Sequence, residues 1–406
     1  LDRIHKLLEM LDNPQKKVKA IHVAGTNGKG STIQYIKNAL LFNNYRAGVF
    51  TSPSLDGLNG YIFIDNNTIT ETDILRYMNE ISPCIQLLDD ENNHPTEFEI
   101  ITAIAFMYFA ENVDIALIEA GMGGKQDTTN CFLPILSIIT NVERDHIAFL
   151  GDTFESIAHH KAGIIKANRP AIIGEMSETA RAVISHEASM KNAPLYELNK
   201  TFNYSVVSDK HQTFVCTASG TGKNLKISIQ ANGSHQIKNA SIAMMALELL
   251  QGNGFILSLE KIQQGLFHTQ IPGRFEVIHK NPDIILDGAH NPAGIKAFVE
   301  TVETNYKDME KHLIFAAFKD KDLKRMLNQL DNTFSSITLT TFDHPRAASS
   351  EELHKLTNHQ NTNVIDDWEH AVKVISCQNK DVCYFITGSL NFIAKVRKYF
   401  ETSYKV

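Results

Sequence analysis

The chain is 406 residues long, 43% apolar and 21% charged, ordinary globular proportions that exclude a disordered or fibrous protein and suggest about two to four domains. Lysine and arginine together number 39 against 46 aspartates and glutamates, a formal charge of -7 that denies the whole protein a strongly basic surface and so excludes nucleic acid as its main partner. The longest uncharged apolar run, Ile100 to Ala110, is about half the roughly 20 residues of a membrane-spanning helix; it is expected as a buried helix, and no membrane partner is expected. Cys84, Cys131, Cys216, Cys377 and Cys383 are odd in number, scattered and without a Cys-x-x-Cys pair, which indicates neither a disulfide framework nor a thiolate zinc site and points to a reducing cytoplasm. The first residue is Leu1 and no signal-peptide pattern follows it, so the native chain is expected to begin upstream.

From Val18 the chain alternates apolar runs with helical patterns: KVKAIHVAG, then Ile33, Ile36 and Leu40 on one helical face, then YRAGVFTS. That rhythm predicts βαβ units and a parallel sheet. VDIALIEAG (113–121) and PILSIIT (134–140) are further buried-strand candidates, set apart by helical stretches such as Thr96 to Asn112. Between about Leu195 and Gln230 the texture becomes short and alternating, with a turn signal at Gly220 and Gly222, and predicts a small antiparallel insertion. A helical pattern returns at HQIKNASIAMMALELL, and Pro272 and Gly273 then interrupt any regular element. We expect the domain boundary there: an α/β domain over 1–272 with a P-loop, a parallel sheet and the antiparallel insertion, and a second, Rossmann-like α/β domain over 273–406. The second would be built on IILDGA, HLIFAAF, SSITLTTF and VCYFITGS.

HVAGTNGKGST lies where a predicted strand gives way to a predicted helix. Glycines let backbone N–H groups approach phosphate oxygens, a helix N-terminus adds positive potential, and Lys29 can reach terminal phosphates. The common Gly-x-x-x-x-Gly-Lys spacing fails, because Val23 holds the first glycine position and Gly30 follows the lysine, leaving Ser31 or Thr32 to supply a hydroxyl to Mg²⁺. A plain strand–turn–helix corner is the bland alternative. Nucleotide binding by Thr26, Asn27, Gly28, Lys29, Gly30 and Ser31 is the favoured reading.

GTNGKGST with its Gly30 resembles the nucleotide loop of the folylpolyglutamate synthase and dihydrofolate synthase family, within the Mur ligase superfamily. The likeness continues in order through TSPSL, TEFE, EAGMGGKQDTTN, ITNVERDH, KAGIIK, HQIKNA, PGRF, LDGAHNP, FKDKD and ITGSLNF. Departures fall at Ser54, at Gly60-Tyr61 and at His160, where the family usually carries His, Glu-Arg and Glu.

The resemblance implies a cytoplasmic, ATP-dependent ligase, acting as a monomer, that joins L-glutamate to the carboxylate of a reduced folate through an acyl phosphate. It implies Mg²⁺ held by Ser52, Glu119 and His146, with Ser31 near the same ion and Lys161 as an N-carboxylated ligand; a monovalent cation is a further candidate. Asp127 and Asn130 would lie close to the reacting groups. Asn239, Arg274 and Asp287 would contact ATP, with His290 a catalytic candidate that is also compatible with helix-starting residues Asn291 and Pro292. Phe98 is a pterin-stacking candidate or a core residue, and Thr96 with Glu99 fits a capping box. Asp343, His344 and Arg346 belong either to a glutamate site or to a solvated turn.

Three other readings stay open. A bifunctional enzyme would also make dihydrofolate from dihydropteroate. A cell-wall Mur ligase is disfavoured by Gly30 and KAGIIK. A P-loop nucleotide switch would hydrolyse ATP without an acceptor but leaves DGAHNP and GSLNF unexplained.

Overall fold

A computed structural model describes residues 1–54, 57–208, 212–218, 224–376 and 382–403; Gly220, Gly222 and Cys377 lie outside that set. The chain divides into two compact units, one of residues 1–230 and 235–270, the other of 231–234 and 271–406. Among the described residues the strands form three sheets.

The first unit is built on an eight-stranded sheet of β1 (Ala20–Ala24), β2 (Ala47–Phe50), β3 (Ile62–Ile64), β4 (Asn67–Thr68), β5 (Ile115–Glu119), β6 (Leu136–Ile139), β7 (Ala171–Ile173) and β8 (Leu195–Glu197), in the order β4-β3-β2-β5-β1-β6-β7-β8. From β2 to β8 every neighbouring pair is parallel; β3 and β4 add an antiparallel edge. β1, β2, β5 and β6 are buried along their whole length, which is why they read as unbroken apolar runs instead of alternating ones. β1 sits between β5 and β6, so the carboxyl ends of β2, β5, β1 and β6 lie side by side. Open α/β sheets bind ligands at that edge, where strand order reverses.

The small antiparallel sheet is present as β9 (Phe202–Ser208), β10 (Thr213–Ala218) and β11 (Asn224–Ser228), in the order β11-β10-β9. It is shorter than the sequence suggested. Leu195–Glu197 pairs in parallel with β7 as the edge strand of the main sheet, and three residues, two of them half-buried, are too few to show an unbroken apolar run in the sequence.

Helix Glu97–Asn112 covers part of the sheet and is apolar around its whole circumference, as a fully packed helix must be. Its start is a capping box: Thr96 accepts from the Glu99 backbone while Glu99 accepts from the Thr96 N–H at 2.8 Å. Among the described residues no helix is long and apolar enough to cross a membrane.

The second unit carries a six-stranded sheet of β12 (Glu276–His279), β13 (Asp283–Leu286), β14 (Glu310–Phe315), β15 (Ser336–Thr341), β16 (Thr362–Asp367) and β17 (Val382–Thr387), in the order β12-β13-β17-β14-β15-β16. All pairs are parallel except β12 with β13. Two apolar clusters, one around Phe298, Phe315 and Phe385 and one around Ile314, Ile386 and Phe392, form its core.

Candidate active site

The loop after β1 is pulled into shape by the segment after β6. Asn141 Oδ1 accepts from the backbone N–H groups of Thr26 (3.2 Å) and Asn27 (2.9 Å), while Thr26 Oγ1 donates to the Glu143 carbonyl and accepts from its N–H, both at 3.0 Å. Thr140 Oγ1 donates to the Asn27 carbonyl at 2.6 Å. Gly25 and Gly28 have φ of +153° and +84°, and a Cβ on either would strike a neighbour: Thr140 Oγ1 at 1.9 Å and Asn239 Oδ1 at 2.4 Å. Both positions therefore need glycine on grounds of conformation and of space.

Helix Lys29–Phe42 begins here with no side-chain cap. Its first-turn N–H groups and dipole face the loop, a ready site for an anion. Lys29 Nζ donates to the Gly25 carbonyl at 3.1 Å and lies 3.7 Å from Glu119 Oε1. Glu119 closes β5, is almost fully buried and accepts a short hydrogen bond from Thr51 Oγ1 just past β2. Ser52 follows, and its Oγ is buried with no hydrogen-bond partner. A Cβ on Gly121 would come within 3.3 Å of both Ser52 Oγ and Asp127 Oδ2 and within 3.1 Å of Phe98 Cζ, so the glycine leaves space that a larger residue would crowd.

Lys161, near the end of helix Phe154–Ala162, is buried beside this group. Desolvation, then the Lys29 charge, pulls its amine down to about 7, against opposing pulls from Asp145 and Asp127. At neutral pH a large share of such amines is unprotonated. Asp145 is buried and accepts from the His146 N–H at 2.8 Å; His146 itself has φ +50° and an exposed side chain. Ser31 Oγ is buried in the first helical turn and receives Gln236 Nε2 at 3.4 Å, while Gln236 Oε1 accepts from Asn239 Nδ2 at 3.2 Å. The first unit thus brings together Lys29, Ser52, Glu119, Asp127 and Lys161 at the carboxyl ends of β1, β2 and β5, with Ser31 and Asn239 lining the nucleotide loop.

A divalent ion of the Mg²⁺ type wants oxygen donors and tolerates water in the remaining positions. Ser52 Oγ, a buried oxygen without a partner, and the Glu119 carboxylate suit it. Among the described residues no three His, Cys, Asp or Glu side chains converge, so a metal here would lean on hydroxyl, lysine-derived and water ligands.

The second unit holds the other named residues at a corner between β13 and helix Pro292–Asn305. Asp287 is buried, and its two oxygens accept from the Phe275 and Ala289 N–H groups at 2.9 and 2.8 Å. Burial raises its carboxyl above the usual range despite the neighbouring Arg274 charge. Asp287, expected to contact ATP, thus also accepts from two backbone groups of its own unit. Arg274 NH1 would lie 3.0 Å from a Cβ on Gly288. His290 Nδ1 faces the Gly288 carbonyl at 2.9 Å, and Asn291 caps the helix by accepting from the Gly294 N–H at 2.8 Å, with Pro292 in the first turn. Arg346 is half-exposed and forms a two-point pair with Asp320 at 3.0 and 2.8 Å while lying over the Phe318 ring. Both partners of this pair are exposed, Arg346 on the turn that carries Asp343 and His344.

Comparison with known proteins decides the family. Residues 23–247 match the Mur ligase middle domain and residues 273–390 the glutamate ligase domain of Mur ligases. A dihydrofolate synthase/folylpolyglutamate synthase of Bacillus subtilis is 36% identical over 98% of this chain and 94% of its own. The chain belongs to the folylpolyglutamate synthase/dihydrofolate synthase family of Mur ligases. Members of this family are ATP-dependent ligases, and this chain is one. The solved folylpolyglutamate synthase of Thermotoga maritima is 34% identical with a TM-score of 0.85, covering 99% of this chain and 93% of that one. The bifunctional folylpolyglutamate synthase/dihydrofolate synthase of Yersinia pestis, solved with AMPPNP and a Mn ion, is 26% identical with a TM-score of 0.87 over 99% of this chain and 93% of that one.

Within the ligase, sequence reasoning missed the supports of these residues: Thr51 on Glu119, Asn141 and Thr140 on the nucleotide loop, and Gln236 on Ser31. Asn141 and Gln236 stand 114 and 205 residues from the atoms they hold, and no local pattern records such pairings.

Proposed function

We propose that this ligase adds L-glutamate to the carboxylate of a reduced folate. ATP transfers its γ-phosphoryl group to that carboxylate, giving an acyl phosphate and ADP; the glutamate amine then attacks the acyl carbon, an amide bond forms, the C–O bond breaks, and phosphate leaves with the amine's extra proton released. Activation is needed because a carboxylate is a poor electrophile. The observation that carries the reading is the uncapped helix N-terminus with Lys29, Glu119 and Lys161 gathered around it.

The loop from Thr26 to Ser31 would cradle the phosphates, with backbone N–H groups from Gly28 onward as donors and Thr26 and Asn27 tied to Asn141, and Lys29 would leave its carbonyl partner to meet the phosphoryl oxygens, where charge accumulates. Asn239, beside Gly28, and Arg274 would make further ATP contacts, Asp287 would hold the corner that carries Arg274, and His290 would lie at the reacting groups. Mg²⁺, held by Ser52, Glu119 and His146 with Ser31 near, would neutralise phosphoryl oxygens; a monovalent cation is a further candidate. The partly neutral Lys161 amine suits attack on CO₂, forming an N–C bond with loss of one proton and turning a repelling cation into an oxygen-bearing anion. Phe98, Asp127 and Asn130 would face the folate. We take one chain in the cytoplasm as the working unit.

The test offers the protein ATP, Mg²⁺ and labelled glutamate with tetrahydrofolate derivatives or dihydropteroate in parallel. Product on the folate alone is expected. Product on both makes the enzyme bifunctional, as the name of the Bacillus relative would have it, and ATP turnover with no acceptor favours the switch.

A further inference from the structure

His22 lies in the middle of β1 with no exposed surface, on the same face as Ala20 and Ala24, which pack into two different apolar clusters. Its ring stands 5.0 Å from the Phe132 ring. An apolar side chain would fill this seam at no electrostatic cost. The imidazole instead leaves Nδ1 buried with no hydrogen-bond partner, a loss that a buried polar group tolerates only for a reason.

The reason is visible on the other nitrogen. His22 Nε2 is 2.9 Å from Thr129 Oγ1, and Thr129 Oγ1 is 2.5 Å from Asp127 Oδ1. A carboxylate only accepts, so the single hydroxyl proton of Thr129 points to Asp127. The hydroxyl must then accept from His22, whose Nε2 carries the proton, and the direction of the whole chain is fixed: imidazole N–H to hydroxyl, hydroxyl to carboxylate. Asp127 also accepts from the Thr129 N–H at 3.0 Å and the Met122 N–H at 2.7 Å, so the loop from Gly121 to Asn130 is wound around its carboxylate. Oδ2 of the same carboxylate borders the space that Gly121 leaves beside Ser52 and Phe98.

We infer that His22 is a positioning residue: through Thr129 it sets the Asp127 carboxylate and with it the acceptor-side loop 121–130, although its own strand leads into the nucleotide loop. The inference rests on the functional reading above only for the name of the acceptor. A structural role for His22 would act along β1, three residues from Gly25, and disturb ATP. A positioning role acts across to β5's loop and leaves ATP alone.

Steady-state kinetics on His22→Leu, Thr129→Val and the double variant separate the two. Thr129→Val removes a hydrogen bond to the charged Asp127 carboxylate and His22→Leu the bond that orients that hydroxyl, and each is expected to lower kcat/KM for the folate acceptor about tenfold. The double variant should be no worse than either single, and KM for ATP should stay within about twofold throughout. His22→Gln, whose amide nitrogen reaches the Nε2 place, should recover most of the activity, whereas His22→Asn should not. His22→Leu should unfold at no lower denaturant concentration than the parent at neutral pH. Additive losses, an ATP effect as large as the acceptor effect, or a less stable His22→Leu with full activity would overturn the inference. A ¹⁵N spectrum of the wild-type imidazole gives an answer independent of turnover: a proton on Nε2 is expected, and a proton on Nδ1 overturns the chain. If the wild type ligates no folate at all, the functional reading falls while that spectrum still decides the relay.

Discussion

The two strand-to-helix corners, one in each unit, share a backbone plan and differ in what they do with polar groups. After β1 the helix Lys29–Phe42 starts without a side-chain cap, on glycines at positive φ, with two lysines beside it. After β13 the helix Pro292–Asn305 starts on an Asn291 cap and a proline, and Asp287 meets two backbone N–H groups behind it. The first corner leaves its helix start without a side-chain cap; the second closes its helix start with one. Since capping is worth about 1 kcal/mol, leaving the first helix open is a sacrifice of stability that a bound anion can recover. The teaching is that the first corner should fail in activity when altered and the second in stability.

The largest test is Lys29→Ala, for which ligation should fall on the order of 10²-fold or more at saturating ATP while urea titration still shows a cooperatively folded protein. Near wild-type turnover would remove Lys29 from the chemistry and break the contrast. Lys161→Ala should lose activity comparably and regain part of it with added acetate, which replaces an oxygen anion; Lys161→Arg should be inactive and unrescued. A bare ammonium at Lys161 in a structure of the wild-type ATP·Mg²⁺ complex, together with an active Lys161→Arg variant, would sink the carboxylated-lysine proposal.

In the second corner Asp287→Ala strands two buried N–H groups and should cost about 2–3 kcal/mol by denaturant titration. If its kcat/KM falls further than the folded fraction explains, Asp287 touches substrate after all.

Beneath the first corner, His22 supplies a pH signature. Burial, then the Lys166 charge, lowers its imidazole to about 3, whereas the unfolded chain titrates near 6.5. Below 6.5 the unfolded state binds the extra proton and the native state does not, so stability is complete above 6.5 and lost as pH falls toward 3, at up to about 1.4 kcal/mol per pH unit. Urea midpoints from pH 7 to 4 should show that slope shrinking by the same amount in His22→Leu; parallel curves would place the proton elsewhere. Smallest of all, Asn291→Ala should cost about 1 kcal/mol with kcat unchanged, measured by paired unfolding and turnover assays.

The pattern of legibility follows burial. β1, β5 and β6 announce themselves because both faces are covered and nearly every residue is apolar. β16, written TNVIDD, is a sheet edge with no buried position and carries no apolar run, and β12 is a four-residue strand at the opposite edge. Neither stands out from loop. The site divides the same way. Lys29 and Glu119 declare themselves by standing at strand ends next to glycine, a local signal. Lys161 was read only through resemblance, and its buried setting appears only once helix Phe154–Ala162 is packed. Thr129 and His22 are 107 residues apart, and their bond exists only when β1 and β5 lie side by side.

Gly25 has a consequence for how this protein can change over generations. The space its missing side chain would occupy is filled by Thr140, whose hydroxyl in turn holds Asn27. Shrinking Thr140 first would free the space but drop the Asn27 contact, and would leave an alanine at 25 in a backbone conformation it still resists. No order of single substitutions passes through a sound intermediate. Position 25 is therefore closed to drift, and lineages of this ligase should vary their acceptor loops long before they vary the floor on which the nucleotide rests.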